Sequence, residues 1–394
     1  MANQRHSTAK RASAVAPLRQ RPVGIYTTDE EPSLDNARDD FHPEEDTGLG
    51  GEDRRQGEKT FARWLEVETW RRPEISDMSS IMMAVESACK TLSALVKRAQ
   101  TDDLAGMYHG GDSGGVNIQG EAQKKLDVVS NRIMVAQLCS PGGLSCVASE
   151  EEEYPQMCST VVGHSAFTGE YAAVFDPLDG SANIGAGLPC GTIFGILKRP
   201  PGGKVGPRTV MQSGKRLLAA GYCLYGGQTN LVLTLGNGVQ QFTLDPKRGE
   251  FVLTQPNMRI PIRGSLYSAN EANSHAWDGR IQDYVNDLKT GRGPSGQQYQ
   301  SRYNGALIAD IHNILHYGGI FLYPADNKNP NGKLRLLYEG NPIGMIVEQA
   351  GGAASTGFQR ILDVPPLNTH HRIPTFFGSP EDVYDLCAYL KRPL

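Results

Sequence analysis

Residues Asp176-Pro177-Leu178-Asp179-Gly180-Ser181 place two carboxylates within one short turn, directly behind a strand-like apolar run at 171–175. Pro177 fixes its φ and removes a backbone donor, which breaks a strand and starts a turn. The turn would aim Asp176, the Leu178 carbonyl and Asp179 at one point, a hard, oxygen-only donor set of the kind magnesium takes. Gly180 and Ser181 follow with free backbone amides ahead of Ile184, where phosphate oxygens can dock. Metal and phosphate chemistry would then meet in one place. The same six residues also suit a hairpin bearing two solvated aspartates, so the other acids of the chain must decide.

Several acids have spacings that could serve the same turn. Glu150-Glu151-Glu152-Glu153 closes an apolar run at 145–149, and such a run of glutamates also describes a solvated face. Asp127 lies on a predicted helix, where it could equally be an exposed partner of Lys124. Glu339 ends the apolar string at 334–338 and is carried into a turn at Pro342. A buried carboxylate needs a partner or a metal. Each acid alone suits a structural role; their joint spacing is what points to a site.

The elements that must position these residues follow from periodicity. Phe61, Trp64, Leu65 and Glu68 recur at helical spacing up to Pro73, and Asp77 is expected to cap a longer helix with Ile81, Met82, Val85, Cys89, Leu92, Leu95 and Val96 on one face. The glycine-rich stretch 101–120 reads as a mobile loop of the kind used as a lid. A helix is expected over 120–139, and strands over 171–175, 192–197, 231–235, 239–244 and 251–254, with Asn237-Gly238 as a hairpin turn. Helices return at 277–289, 303–316, 341–350 and 380–391. Helices mixed with mainly antiparallel strands predict a layered α+β architecture.

Composition bounds the rest. A chain of 394 residues, 39% hydrophobic and 21% charged, is an ordinary globular protein with ample core. A net charge of −4 argues against general nucleic-acid or anionic-membrane binding. No apolar run reaches the roughly 18 residues of a membrane span. Residues 1–22 are basic and residues 29–53 hold eleven acids, so 1–57 is expected to be a disordered extension. Seven scattered cysteines read as reduced core thiols, which with the lack of a clear amphipathic leader helix points to the cytoplasm rather than a plastid.

From about Trp64 to Pro380 the chain resembles the fructose-1,6-bisphosphatase family, of the magnesium-dependent, lithium-sensitive phosphatases. Ser149-Glu150-Glu151 and residues 176–181 match the superfamily's metal motif, and the string Gly332-Lys333-Leu334-Arg335-Leu336-Leu337-Tyr338-Glu339-Gly340-Asn341-Pro342 matches the family's own. Residues 219–222, 244–246 and 317–321 are similar as well. The resemblance implies an αβαβα sugar-phosphatase fold, with an allosteric-type domain over 58–255 and a sugar-phosphate-binding domain over 256–394. It implies hydrolysis of fructose 1,6-bisphosphate in gluconeogenesis by a homotetramer that uses two or three magnesium ions, with manganese as a substitute. Glu121, Glu150, Glu151, Asp176, the Leu178 carbonyl, Asp179 and Glu339 would hold metal, and Asp127 with Glu151 would take the proton from the attacking water. Asp179, Gly180 and Ser181 would face the 1-phosphate. Asn270, Asn273, Tyr303, Gly305, Leu307, Tyr323 and Lys333 would hold the sugar and 6-phosphate, and Arg302 would reach a neighbouring subunit.

Departures from the family pattern concern regulation most. Asn273 stands where the family has a tyrosine, which implies weaker substrate binding. The stretch matching the family's AMP-phosphate turn is Glu74-Ile75-Ser76-Asp77-Met78-Ser79, and two basic positions of that site, around Tyr171, are Glu170 and Lys198. An acid at 170 would repel a phosphate dianion, so AMP inhibition is expected to be weak or absent. Cys158 alone occupies the short insertion between the acidic motifs, giving little support for a thiol switch. Two other readings remain open: a related phosphatase acting on sedoheptulose 1,7-bisphosphate or an inositol phosphate, and a non-catalytic regulator that keeps the fold.

Overall fold

The computed structural model describes residues 59–108, 123–163, 169–202 and 206–393. The extension at 1–57, most of the 101–120 loop and Glu121 lie outside the described residues. Three helices come first: α1 (Phe61–Arg71), α2 (Ser79–Lys97) and α3 (Lys125–Cys139). The strands β1 (Leu144–Ser149), β2 (Gln156–Met157), β3 (Tyr171–Asp179), β4 (Cys190–Lys198), β5 (Leu217–Tyr225), β6 (Thr229–Thr234), β7 (Val239–Asp245) and β8 (Glu250–Met258) follow, with the single-turn α4 (Cys158–Val161) after β2. The remainder runs β9 (Leu266–Ala269), α5 (Gly279–Thr290), β10 (Gln300–Ser301), α6 (Leu307–Tyr317), β11 (Ile320–Tyr323) and β12 (Leu334–Arg335). It ends with α7 (Asn341–Gln349), β13 (Ala353–Ser355), β14 (Arg372–Ile373), β15 (Thr375–Gly378) and α8 (Pro380–Leu390).

The first sheet has the order β2-β1-β3-β4-β5-β6-β7-β8, antiparallel except for the β1–β3 pair. The second has the order β10-β9-β11-β15-β13, and β12 pairs with β14 in a separate ribbon. Alternation along buried strands builds the layers. On β3, Ala173 and Phe175 pack with Leu65, Val85 and Leu126 of α1–α3, while Ala172 and Val174 pack with Ile311 of α6 and Ile346 of α7. On β11, Phe321 faces that same inner core, while Ile320 and Leu322 join Tyr284 of α5 and Leu386 of α8. The sequence of layers is therefore α1–α3, large sheet, α6 and α7, small sheet, α5 and α8, the expected layered α+β arrangement. Helix α7 lies between two sheets and is buried from Asn341 to Val347, which is why its sequence lacks a polar face.

Three expectations need correction. Pro177 does not end β3: the strand runs on to Asp179 through a bulge between Asp176, opposite Ile193, and Asp179, opposite Gly191. A proline is tolerated where the ladder is already interrupted. Asp77 does not cap α2, because a 3-10 turn (Pro73–Met78) leads into the helix and puts Met78 at its start. The apolar string at 334–338 starts as the two-residue β12 and passes into a π-helical turn, Leu336–Gly340. Finally, the cysteines are not all reduced thiols. Cys139 at the end of α3 and Cys158 of α4 form a disulfide with their Cα atoms 5.0 Å apart, across a separation of 19 residues. Cys89, Cys146, Cys190, Cys223 and Cys387 are free.

The disulfide joins the helix that begins beside Asp127 to the segment that follows Glu150–Glu153. Closing a loop of this length is worth on the order of 3 kcal/mol. Cys158→Ala is therefore expected to lose about that much stability in denaturant unfolding. Dithiothreitol should lower the midpoint of the wild type but not of the variant, and equal midpoints throughout would show that the bond contributes nothing.

Candidate active site

The β3 bulge, the π turn and the starts of α3 and α6 open onto one cavity of about 530 Å³. Its acidic end is built by geometry that each element imposes separately. Asp176 Oδ1 accepts the Leu178 N–H at 2.9 Å, which folds the bulge back on itself. Gly180 then turns with φ 73°, a left-handed conformation that favours glycine, and a Cβ there would lie 2.4 Å from Ala306 Cβ. That close approach brings the first turn of α6 to Asp179, whose Oδ2 accepts the Ile308 N–H at 3.0 Å. A carboxylate at a helix N-terminus meets free N–H groups and the positive end of the helix dipole. In the π turn, Glu339 Oε2 accepts the Arg335 N–H at 2.5 Å.

Carboxylate oxygens of Asp176, Asp179 and Glu339 come within 4.8 Å of one another. Glu150 closes the group, and Arg335 Nη1 lies 3.0 Å from its Oε1. Burial, then the charges of Glu150, Asp179 and Glu339, push Asp176 well above the usual carboxylate range. Burial likewise pushes Asp179 up to about 7 and Glu339 up to about 8. Hard oxygen donors crowded at this distance, with protonation as the alternative to charge neutralisation, fit a hard divalent cation. At the start of α3, Asp127 Oδ2 accepts the Lys124 N–H at 2.7 Å. Its Oδ1 is buried without a hydrogen bond among the described residues, and burial pushes the group up to about 6. Gln123 Nε2 donates to Glu151 Oε2 at 2.5 Å.

The far end of the cavity is lined by Tyr303, Gly305, Leu307, Tyr323 and Lys333. Burial raises the Tyr303 phenol to about 12, and the Asn270 side chain bonds to it. The structure thus brings together Asp127, Glu150, Glu151, Asp176, Leu178, Asp179, Gly180, Ser181, Glu339 and this second group. Asn273 does not line the cavity; its N–H donates to the Asn270 carbonyl at 3.1 Å. Arg302 opens instead onto a separate surface hollow beside His312 and His316. Around Tyr171, Glu170 and Lys198 pair at 3.5 Å, with Lys198 Nζ 5.9 Å from the ring. Ile75 and Met78 are core residues, whereas Ser76 and Asp77 are exposed and Ser79 is half-buried.

Two members of the site were missed. Arg335, only 3% exposed, anchors Glu339 through its backbone and Glu150 through its side chain. A charge inside an apolar string was the available signal, since a buried arginine needs an acid. Asp310 lines the cavity and accepts from Asn304 N at 2.9 Å and Asn304 Nδ2 at 2.8 Å, shaping the loop that carries Tyr303 and Gly305. Its place in the first turn of α6 carried no comparable signal.

Comparison with known proteins agrees with this construction. Residues 60–256 match the family model described as "Fructose-1-6-bisphosphatase, N-terminal domain" and residues 260–391 the one described as "Fructose-1-6-bisphosphatase, C-terminal domain". A chloroplastic fructose-1,6-bisphosphatase of Brassica napus is 45% identical over 348 residues, covering 84% of this chain and 82% of that relative. A cytosolic fructose-1,6-bisphosphatase of Spinacia oleracea is 45% identical over 330 residues, covering 84% and 94%. The holo crystal structure of Leishmania major fructose-1,6-bisphosphatase superposes with a TM-score of 0.78 at 38% identity, over 85% of this chain and 99% of that one. The expected cytoplasmic location does not stand. Chloroplastic enzymes of Brassica napus, Arabidopsis thaliana and Pisum sativum are as similar as the cytosolic one, so a plastid location is as well supported.

The raised carboxylates set a sign for metal-free stability. Asp179 and Glu339 bind protons more tightly folded than unfolded, so stability is highest below the ordinary carboxylate range and falls as pH rises through about 7 to 8. Metal-stripped protein is expected to melt lower at pH 8 than at pH 5.5. Magnesium at about 100 times its dissociation constant should add about 2.7 kcal/mol at pH 8, and Asp176→Asn should abolish most of that gain. A metal-independent melting temperature at pH 8 would exclude the cluster as a metal site.

Proposed function

We propose, on the premise that the chain belongs to the fructose-1,6-bisphosphatase family, that it hydrolyses the 1-phosphate of fructose 1,6-bisphosphate to fructose 6-phosphate and inorganic phosphate with magnesium. The observation that carries this reading is the single cavity with buried carboxylates at one end and Tyr303, Tyr323 and Lys333 at the other. A bisphosphate needs that polarity: one end to react, the other to be held. Glu150, Asp176, the Leu178 carbonyl, Asp179 and Glu339 would hold two magnesium ions, and Glu121 a third. When bound, the metal would neutralise phosphate charge, lower the pKa of water and stabilise the leaving alkoxide.

The chain's own groups supply the rest. Backbone amides at Gly180 and Ser181, at the start of the 3-10 turn Ser181–Ala186, would receive the 1-phosphate. Asp127 and Glu151 are the groups to take the proton from the attacking water. Asp127 Oδ1 has no hydrogen-bond partner among the described residues, and Gln123 donates to Glu151. The Tyr303 phenol remains a donor at neutral pH and, with Tyr323, Asn270 and Lys333, would fix the sugar and 6-phosphate. The domain division at 255–256 and a tetramer in which Arg302 reaches a neighbouring 6-phosphate complete the proposal. Arg302 lies on the hollow outside its own cavity, which suits that role.

Phosphate release from a panel including fructose 1,6-bisphosphate, sedoheptulose 1,7-bisphosphate and inositol phosphates should show the first as preferred substrate. Asp127→Asn is expected to lower kcat by about 10²- to 10⁴-fold with a much smaller change in KM. Unchanged turnover in Asp127→Asn or Asp176→Asn would exclude the mechanism.

AMP is a separate test. The Glu170–Lys198 pair places an acid where an effector phosphate would need cations, so AMP should inhibit weakly or not at all. Full inhibition at micromolar AMP would contradict this, and Glu170→Lys is expected to raise AMP sensitivity.

A further inference from the structure

The two ends of the catalytic cavity belong to different stretches of chain, and one side chain spans the seam between them. The amides of Gly180 and Ser181 lie at the start of the 3-10 turn Ser181–Ala186, whereas Tyr303 and Gly305 lie just ahead of α6. Every residue from Ser301 to Gly305 is exposed, so no buried side chain holds that stretch in place. Hydrogen bonds do so instead. The Arg302 N–H donates to the Tyr267 carbonyl at 2.9 Å, and Asp310 accepts from Asn304 N at 2.9 Å and from Asn304 Nδ2 at 2.8 Å. These bonds tie the stretch to its own side of the cavity.

Asn183 ties it to the other side. Its backbone is fixed within the 3-10 turn: its N–H donates to the Gly180 carbonyl at 2.9 Å, and its carbonyl accepts the Leu188 N–H at 3.1 Å. From that base Nδ2 donates to the Pro189 carbonyl at 2.9 Å and to the Asn304 carbonyl at 3.0 Å. Both partners are acceptors, so the carboxamide must turn its nitrogen toward them, and both of its hydrogens are used. Its Oδ1 faces Gly305, 3.6 Å from where a Cβ of that residue would stand, and Gly305 has φ 77°, the left-handed region that favours glycine. Aspartate has the same shape but no donor, and would set a charge against two carbonyl oxygens.

A bisphosphate gains from being held at its second end only when the separation of the two ends matches its own length. The Asp179–Ile308 bond and the approach of Gly180 to Ala306 fix where α6 begins. The exposed stretch before it is fixed across the same seam by Asn183. We infer that Asn183 is a specificity-determining positioning residue, whose carboxamide sets the span between the phosphate turn and the Tyr303 loop and so the length of bisphosphate that the cavity accepts. The inference rests on the proposed reaction and adds the reason that a six-carbon bisphosphate is preferred to a seven-carbon one.

The test compares the magnesium-loaded wild type with Asn183→Asp and Asn183→Ala. Loss of two neutral hydrogen bonds should raise KM for fructose 1,6-bisphosphate about tenfold, with kcat kept within about twofold. The preference in kcat/KM for fructose 1,6-bisphosphate over sedoheptulose 1,7-bisphosphate should fall by about threefold or more in both variants. Inorganic phosphate, which needs the reacting end alone, should inhibit all three proteins equally, and the rise in melting temperature on adding magnesium should be unchanged. Hydrogen exchange over residues 302–305 should be faster in both variants, a readout that needs no turnover. An unchanged KM, an equal loss on both bisphosphates, unchanged exchange at 302–305, or a parallel loss of phosphate inhibition and magnesium stabilisation would overturn the inference. A wild type that releases phosphate from neither bisphosphate would overturn the proposed reaction, and this inference with it.

Discussion

Like charge held out of water is the constraint on which this structure turns. Glu150, Asp176, Asp179 and Glu339 crowd together where solvation is poor, and each would cost several kcal/mol if left uncompensated. The protein offsets that cost with backbone N–H groups from three separate elements: Leu178 in the bulge, Ile308 at the start of α6 and Arg335 at the π turn. It adds one guanidinium, that of Arg335, against Glu150. The compensation is partial, which leaves the carboxylates proton-hungry, and the same residual demand suits the cluster to a metal cation. Stability and metal affinity are therefore two readings of one electrostatic deficit.

The layered architecture exists to make such a place. A carboxylate cluster on a single sheet face would be washed by solvent. Here the bulge of β3 projects from the large sheet, while the starts of α6 and α7 come from the layer between the sheets, so the acids meet in the gap. The closeness of that meeting is set by a residue without a side chain, Gly180 against Ala306. The Cys139–Cys158 bond works at the other edge, tying the end of α3 to the segment behind Glu150–Glu153. Asp127 and Glu151, the two groups proposed for proton transfer, lie on the two arms of chain that this bond connects.

Beside Tyr171, Glu170 and Lys198 pair at 3.5 Å, so the acid and the cation there largely offset each other.

Residue types and local spacing marked Asp176, Asp179, Gly180 and Ser181 as either a metal-and-phosphate turn or a hairpin, and the family resemblance added Glu150, Glu151 and Glu339 to the donor set. They also marked the helix faces and five of the fifteen described strands, β3, β4, β6, β7 and β8, because alternation and helical spacing follow from local geometry. The nine-residue β5 was not expected, because it is buried on both faces and shows no alternation, and short strands such as β9, β11 and β13 are in addition too brief to show a period. Only the tertiary structure decided that Pro177 sits inside a strand, that Cys139 meets Cys158, and that Arg335 is the cation within the acidic cluster. It also decided which acids are starved of water. Those facts depend on residues far apart in the chain becoming neighbours, and the energies that matter there, burial and charge–charge contact, are set by distances that spacing along a chain does not encode.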